Sequence, residues 1–222
     1  MKAATLVKFG GELLEQPEHL ASLASMLARV AERTRLAVVH GGGREIDAAL
    51  ARIGVPKRQV DGLRVTDEQT MGVVVEVLAG AVNTRFVAAI TAAGGRAVGL
   101  TGADAGLAIV EKAAPHLAVD GRTVDLGLVG QPIGDGTPAL LRDLVAAGYL
   151  PVICSIGVGR DGTLFNVNAD MLAGHLAARL QVRRLVIAGA TPGVLDSSGQ
   201  TVSLLDRAGA EAMVQPASPV RA

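Results

Sequence analysis

Five short apolar runs rich in Val, Ile and Leu punctuate the chain at Thr5–Phe9, Leu36–His40, Ala97–Thr101, Leu150–Ser155 and Leu185–Ala188. A stretch with helix-like spacing of apolar positions separates each run from the next. Continuous rather than alternating hydrophobicity suits strands buried on both faces, and its alternation with helices predicts a mostly parallel, doubly wound sheet. Capping signals mark the helix starts: Thr66 with Gln69 forms a capping box, Asp67 and Glu68 fill a first turn, and Thr137-Pro138 sets proline at a first helical position. From Thr66 to about Ala93 the pattern is long and apolar on more than one face, and it stops at Gly94-Gly95. Such a helix needs more cover than one sheet face supplies, so it is either a subunit contact or an ordinary buried core helix. Between Gly102 and Gly130, short glycine-rich pieces read as hairpins on the edge of the sheet. The end, Gln215–Ala222, contains Pro216 and Pro219 and reads as a frayed tail.

Half of the 222 residues are apolar, which is ample for one large α/β domain or two small lobes. Lysine plus arginine equals aspartate plus glutamate at 21 each, and aromatics make up 2%. There is therefore no net field to recruit nucleic acid or an anionic membrane, and few platforms for base stacking. The single cysteine, Cys154, precludes an internal disulfide framework and fits a reducing compartment. Its neighbours Val152 and Ile153 mark it as a buried structural residue. The opening MKAATLVKFGGELL has Lys8 inside its short apolar run, which does not suit a signal peptide, and no apolar run reaches transmembrane length. The expectation is a soluble, cytoplasmic protein.

Two glycine-rich turns, Gly10-Gly11 and Gly41-Gly42-Gly43, each follow an apolar run directly, and Lys8 stands just ahead of the first. Consecutive glycines where a strand turns into a helix let backbone N–H groups approach an anion, and the helix N-terminus adds positive potential. Phosphate is the expected guest. Any nucleotide must be held differently from the two common glycine-loop patterns, because no glycine pair continues into Gly-Lys-Ser/Thr and HGGGREID lacks the third spaced glycine of a dinucleotide turn. His19, His116 and His175 are scattered without metal-ligand spacing, so no protein-bound metal is expected.

Taken together, KFGGELL (8–14), HGGGREID (40–47), DGLRVTD (61–67), LAGAVN (78–83), AVGLTGADAG (97–106), GYLPVICSIG (148–157) and NVNAD (166–170) resemble the amino acid kinase superfamily, and within it the acetylglutamate kinases. The resemblance implies a three-layer αβα sandwich with an open, mostly parallel sheet, the carbamate kinase-like fold. It implies a single domain over 1–222, with a substrate-binding lobe to about residue 165 and an incomplete nucleotide-binding lobe from about 166. The implied reaction is phosphoryl transfer from ATP, accompanied by Mg2+, to the side-chain carboxylate of N-acetyl-L-glutamate in arginine biosynthesis, by a homodimer or larger assembly.

By that resemblance, Lys8 is catalytic and neutralises the transferring group, and Asp170 orients the active-site lysine. Gly10, Gly11 and Gly42 join Lys8 in holding the nucleotide's phosphates, and Gly42 and Gly43 also contact substrate. Arg64 captures the substrate α-carboxylate with a planar guanidinium, and Asn166 holds substrate polar groups. Asn168 and Asp170 also suit a helix N-terminus. A carboxylate acceptor is already ionised at neutral pH and needs no general base, so His40 is read as fixing the glycine turn through its ring N–H.

The nucleotide half departs from the family. Gly189-Ala190-Thr191-Pro192-Gly193-Val194 stands where the family has Thr-Asp-Val-Pro-Gly-Val, which makes Gly189, Thr191 and Gly193 the candidate nucleotide contacts. The family continues into a segment with a second phosphate-binding lysine, whereas here no lysine follows Lys112. Slow transfer and an exposed sheet edge are the expected consequences. The alternative is a homologue that binds acetylglutamate or a related amino acid as a regulatory or assembly partner.

Overall fold

The computed structural model describes residues 5–134 and 138–214. The chain forms two compact units, Met1–Gly189 and Ala190–Ala222. In chain order the first unit runs β1 (Thr5–Phe9), α1 (Pro17–Ala31), β2 (Leu36–His40), α2 (Gly43–Arg52), β3 (Gln59–Val60) and β4 (Leu63–Arg64). Then come α3 (Glu68–Val75), a π-helical segment Glu76–Val82, α4 (Asn83–Ala92) and β5 (Ala97–Leu100). The short strands β6 (Val110–Lys112), β7 (His116–Leu117), β8 (Thr123–Val124) and β9 (Val129–Pro132) follow. The unit closes with α5 (Ala139–Ala146), β10 (Leu150–Cys154), β11 (Ile156–Val158), β12 (Leu164–Val167), α6 (Ala169–Leu180) and β13 (Arg184–Ala188).

The central sheet is parallel, in the order β13-β1-β2-β10-β5. Its strands coincide with the five apolar runs to within a residue or two at either end. Every residue of β2 and β10 is buried, as continuous apolar runs require. One face carries a core built from Leu20, Leu27, Ile46, Leu50, Val74, Leu78, Phe86 and Ile90 of the helices, with Val38 and Val152 of the sheet. The other face packs Leu6, Val39 and Ile153 against Leu141 of α5 and Leu172 and Leu176 of α6. The result is a three-layer sandwich. Cys154 lies fully buried in it, and burial pushes the thiol up to about 12, so it is an inert core residue.

Four expectations need correcting. The cap of α3 is Asp67, whose Oδ1 accepts from the Thr70 N–H at 2.8 Å, rather than Thr66. Thr66 is instead buried in a strand-like bridge: its N–H donates to Leu126 O, and its own carbonyl accepts from Leu128 N–H. Pro138 is the residue preceding α5 rather than its first helical residue. The segment 102–130 does not decorate the parallel sheet. Only β7–β8 is a free hairpin, whereas β6 and β9 join β11 and β12 in a second sheet of order β11-β12-β9-β6. Finally, α3, the π segment and α4 form one helix, Glu68–Ala92, which contains an 18-residue window of mean hydropathy 1.7 and is long and apolar enough to cross a bilayer by length and composition. Here it is a core helix, with Val74, Leu78, Val82, Phe86 and Ile90 almost wholly buried. Thr137 and the tail 215–222 lie outside the described residues.

In the second unit, Leu195 and Thr201 form an antiparallel bridge closed by a turn at Asp196, whose Oδ1 accepts from Ser198 and Gln200 N–H groups. The helix α7 (Arg207–Val214) follows.

Candidate active site

The carboxyl ends of β1 and β2 deliver both glycine turns to one place, as open parallel sheets do. There a cleft of about 290 Å³ is lined by Lys8, Gly10, Gly11, Gly42, Gly43, Arg64, Asn166 and Asp170, among others. Eight of the expected site residues therefore come together. Gly189, directly after β13, is beside the same turn, since a Cβ there would stand 3.2 Å from Glu12 Oε1. Thr191 and Gly193 belong to the second unit.

The glycines are required by close approach of the turns. A Cβ on Gly11 would stand 2.7 Å from Gly42 Cα, and one on Gly42 would stand 2.7 Å from Leu78 Cδ2. The two loops thus touch backbone to backbone, which only glycine permits. Gly42 is the cap of α2, and no side chain caps it, so the first N–H groups of the helix are left for a ligand. Within the first pair the roles divide: Gly10 N–H donates to Ala188 O at 2.8 Å and extends the sheet, so it is not the phosphate donor that the glycine pattern suggests.

Lys8 projects from β1 with its side chain 12% exposed, and its Nζ is 3.0 Å from Asp170 Oδ1 and 3.3 Å from Oδ2. Asp170 is held in turn by the start of α6, where Asn168 Oδ1 accepts from the N–H groups of Asp170 and Met171. Asn168 is therefore a capping residue at the edge of the cleft. Asn166 donates from Nδ2 to Thr66 Oγ1 at 3.2 Å, which ties β12 to the start of α3.

His40 sits behind the turn, fully buried. Asn83 Nδ2 donates to His40 Nε2 at 3.1 Å and to Val152 O at 2.9 Å, and Nδ1 lies 2.9 Å from Gly41 O. These partners fit the neutral tautomer protonated at Nδ1, with the ring N–H fixing the turn. Burial pushes its pKa down to about 4, against the opposing pull of the Gly41 carbonyl and with some help from Arg85.

Arg64 is paired with neither Asp61 nor Asp67. Its side chain is 8% exposed, and Nη2 donates to Asp47 Oδ1 and, at 3.1 Å, to Gly43 O. Asp47 and Asn83 are functional neighbours that the sequence reading did not single out. Both lie inside quoted motifs, and the signal for Asp47 is its spacing: four residues, one helical turn, after Gly43 at the start of α2.

A model of the amino acid kinase family matches residues 4–219. The acetylglutamate kinase of Methanopyrus kandleri is 44% identical over 202 residues, covering 91% of this chain and 77% of the relative. That of Novosphingobium aromaticivorans is 42% identical, covering 86% of this chain and 66% of the relative. The chain thus spans between two thirds and about three quarters of these proteins. Among solved structures, N-acetylglutamate synthase from Neisseria gonorrhoeae complexed with coenzyme A and N-acetyl-glutamate aligns at a TM-score of 0.73 with 27% identity, over 89% of this chain and 44% of that one. Aspartokinase III of E. coli, 14% identical with a TM-score of 0.61, shares the fold. By sequence, fold and the residues gathered at its cleft, the chain belongs to the amino acid kinase family.

Proposed function

We propose that this chain transfers the γ-phosphoryl group of MgATP to the side-chain carboxylate of N-acetyl-L-glutamate, giving N-acetyl-L-glutamyl 5-phosphate in arginine biosynthesis. A carboxylate oxygen bonds to the γ-phosphorus while the bond to the bridging oxygen breaks and its electron pair leaves with ADP. No proton has to move. The barrier lies in bringing two anions together in line. The observation that carries the reading is the cleft where Lys8, the uncapped start of α2 and Arg64 converge. Lys8, steered by Asp170, neutralises the transferring group. Gly11 and the Gly42-Gly43 turn supply backbone donors, Arg64 takes the α-carboxylate and Asn166 holds substrate polar groups. Gly189, Thr191 and Gly193 serve the nucleotide, and Mg2+ arrives with ATP. The reaction belongs in the cytoplasm, and the enzyme acts as a homodimer joined through the exposed side of the helix Glu68–Ala92.

Ala190, in place of the motif's aspartate, favours a second reading in which the chain binds acetylglutamate as a regulatory or assembly partner.

Trapping acyl phosphate with hydroxylamine, from MgATP and N-acetyl-L-glutamate, tests the kinase directly. Turnover that vanishes in Lys8→Ala, with acetylglutamate binding weakened only modestly, is the expected outcome. Arg64→Ala should mainly raise the acetylglutamate requirement, because it acts on ground state and transition state alike. Intact acetylglutamate binding with no turnover would favour the binding homologue.

A further inference from the structure

We propose that Asp47 is the positioning residue of the substrate subsite: it presents the Arg64 guanidinium to the substrate carboxylate and holds the β3–β4 hairpin on α2. The role rests on the reading of Arg64 above and adds a group that contacts no substrate.

The hairpin comprises only two paired residues on each side, Gln59 with Arg64 and Val60 with Leu63. Two strands that short do not hold their own geometry in water. Both sides are instead fastened to one carboxylate on α2. Oδ2 of Asp47 takes Lys57 Nζ at 2.6 Å, just ahead of β3, and Oδ1 takes Arg64 Nη2, at the end of β4. Nη2 is also bonded to Gly43 O, in the first turn of the same helix. The arginine is thereby locked to the element whose start forms the Gly42-Gly43 turn, so the carboxylate and phosphate subsites share one rigid support.

The remaining amino group of the fork completes the case. Arg64 Nη1 is buried and has no hydrogen-bond partner in the chain. A buried guanidinium N–H without an acceptor is costly, and a substrate carboxylate would supply one. Asp47 occupies one branch of the fork and leaves the other for the ligand. It also offsets the two cations around it, so that the subsite carries a single net positive charge. Burial opposes ionisation of Asp47, but Lys57 and Arg64 outweigh it and hold its pKa below the usual aspartate value, so the clamp is charged at neutral pH.

The test measures acetylglutamate and ATP dissociation constants calorimetrically for the wild type and for Asp47→Asn, Lys57→Met, Arg64→Ala and the Asp47→Asn/Arg64→Ala pair, with the melting temperature of each. The expected result is an acetylglutamate affinity about 10- to 100-fold weaker in Asp47→Asn with ATP affinity changed far less. A smaller loss is expected in Lys57→Met, which cuts only the other leg of the clamp. Asp47→Asn should add little in the Arg64→Ala background, because it acts through that residue. Unchanged acetylglutamate affinity in Asp47→Asn, or parallel loss of both affinities with the melting temperature, would overturn the positioning role while leaving the kinase reading intact. Failure of the wild type to bind acetylglutamate would overturn the kinase reading and this role together.

Discussion

At the residue scale, His40 shows how a buried ring is used without doing chemistry. It packs edge-on against Phe86 with centroids 6.1 Å apart and takes hydrogen bonds that only the neutral ring completes. Its folded pKa of about 4 lies below the ordinary value of 6.5, so the unfolded chain binds the proton first as the pH falls. The stabilisation is fully present above pH 6.5 and is lost progressively between there and pH 4. The gap corresponds to roughly 3 kcal/mol in all. His175, also depressed by burial, works in the same direction, so a variant is needed to isolate His40. Urea unfolding at pH 7 and at pH 4.5 should show a larger loss of stability in the wild type than in His40→Gln. Equal losses would show that the ring titrates in the folded state with an ordinary pKa. The role was legible in the sequence because a carboxylate acceptor removes the need for a base. The partner Asn83 was not, since it arrives from a helix forty-three residues away.

At the element scale, the two glycine turns differ in what crowds them, and substitutions should separate them. A methyl on Gly42 would meet the far end of the Leu78 side chain, whereas one on Gly11 would meet Gly42 backbone. Leu78 lies in the π-helical stretch and is almost wholly buried, so Leu78→Ala alone should cost about 2–5 kcal/mol. Combining it with Gly42→Ala should cost less than the sum by about 1 kcal/mol or more, because the cavity receives the methyl. Gly11→Ala should show no such relief. Additive costs in both pairs, measured by urea denaturation, would mean that the turns do not pack as described. The strands were readable because burial on both faces writes an unbroken apolar run. The cap of α3 was misread because Thr66 and Asp67 are both good capping residues locally, and a contact from Asn166, one hundred residues on, decides between them. Asp47 does not stand out in the sequence, since its partners Lys57 and Arg64 come from a hairpin too short to announce itself. The second sheet escaped for the same reason, as strands of three or four residues carry no period.

At the scale of the whole molecule, the fold and the gathering of the cleft follow from motifs in order along the chain, but assembly depends on surfaces. The helix Glu68–Ala92 buries one side in the core and leaves Gly72, Glu76, Gly80, Thr84 and Ala88 exposed on the other, with Val75, Ala79 and Val87 half-buried between them. Apart from Glu76 the side chains there are small enough for a second helix to approach closely, and the flanking apolar groups would gain from the cover. A twofold contact brings each position against the same helix of the partner, so one bulky charge is introduced twice. Ala88→Arg should therefore convert a dimer into a monomer in sedimentation-velocity runs at micromolar concentration. Its melting temperature should change little by comparison with a core substitution such as Phe86→Ala, which costs about 3–5 kcal/mol. A wild type that sediments as a monomer would overturn the dimer. A dimer unaffected by Ala88→Arg would move the interface elsewhere, for which the edge strand β13 is a candidate, since Leu185, Val186 and Ile187 are exposed on it. Charge placed on that strand, as in Ile187→Lys, would then be the substitution that separates the subunits, because edge strands pair through their open backbone and tolerate charge poorly when paired.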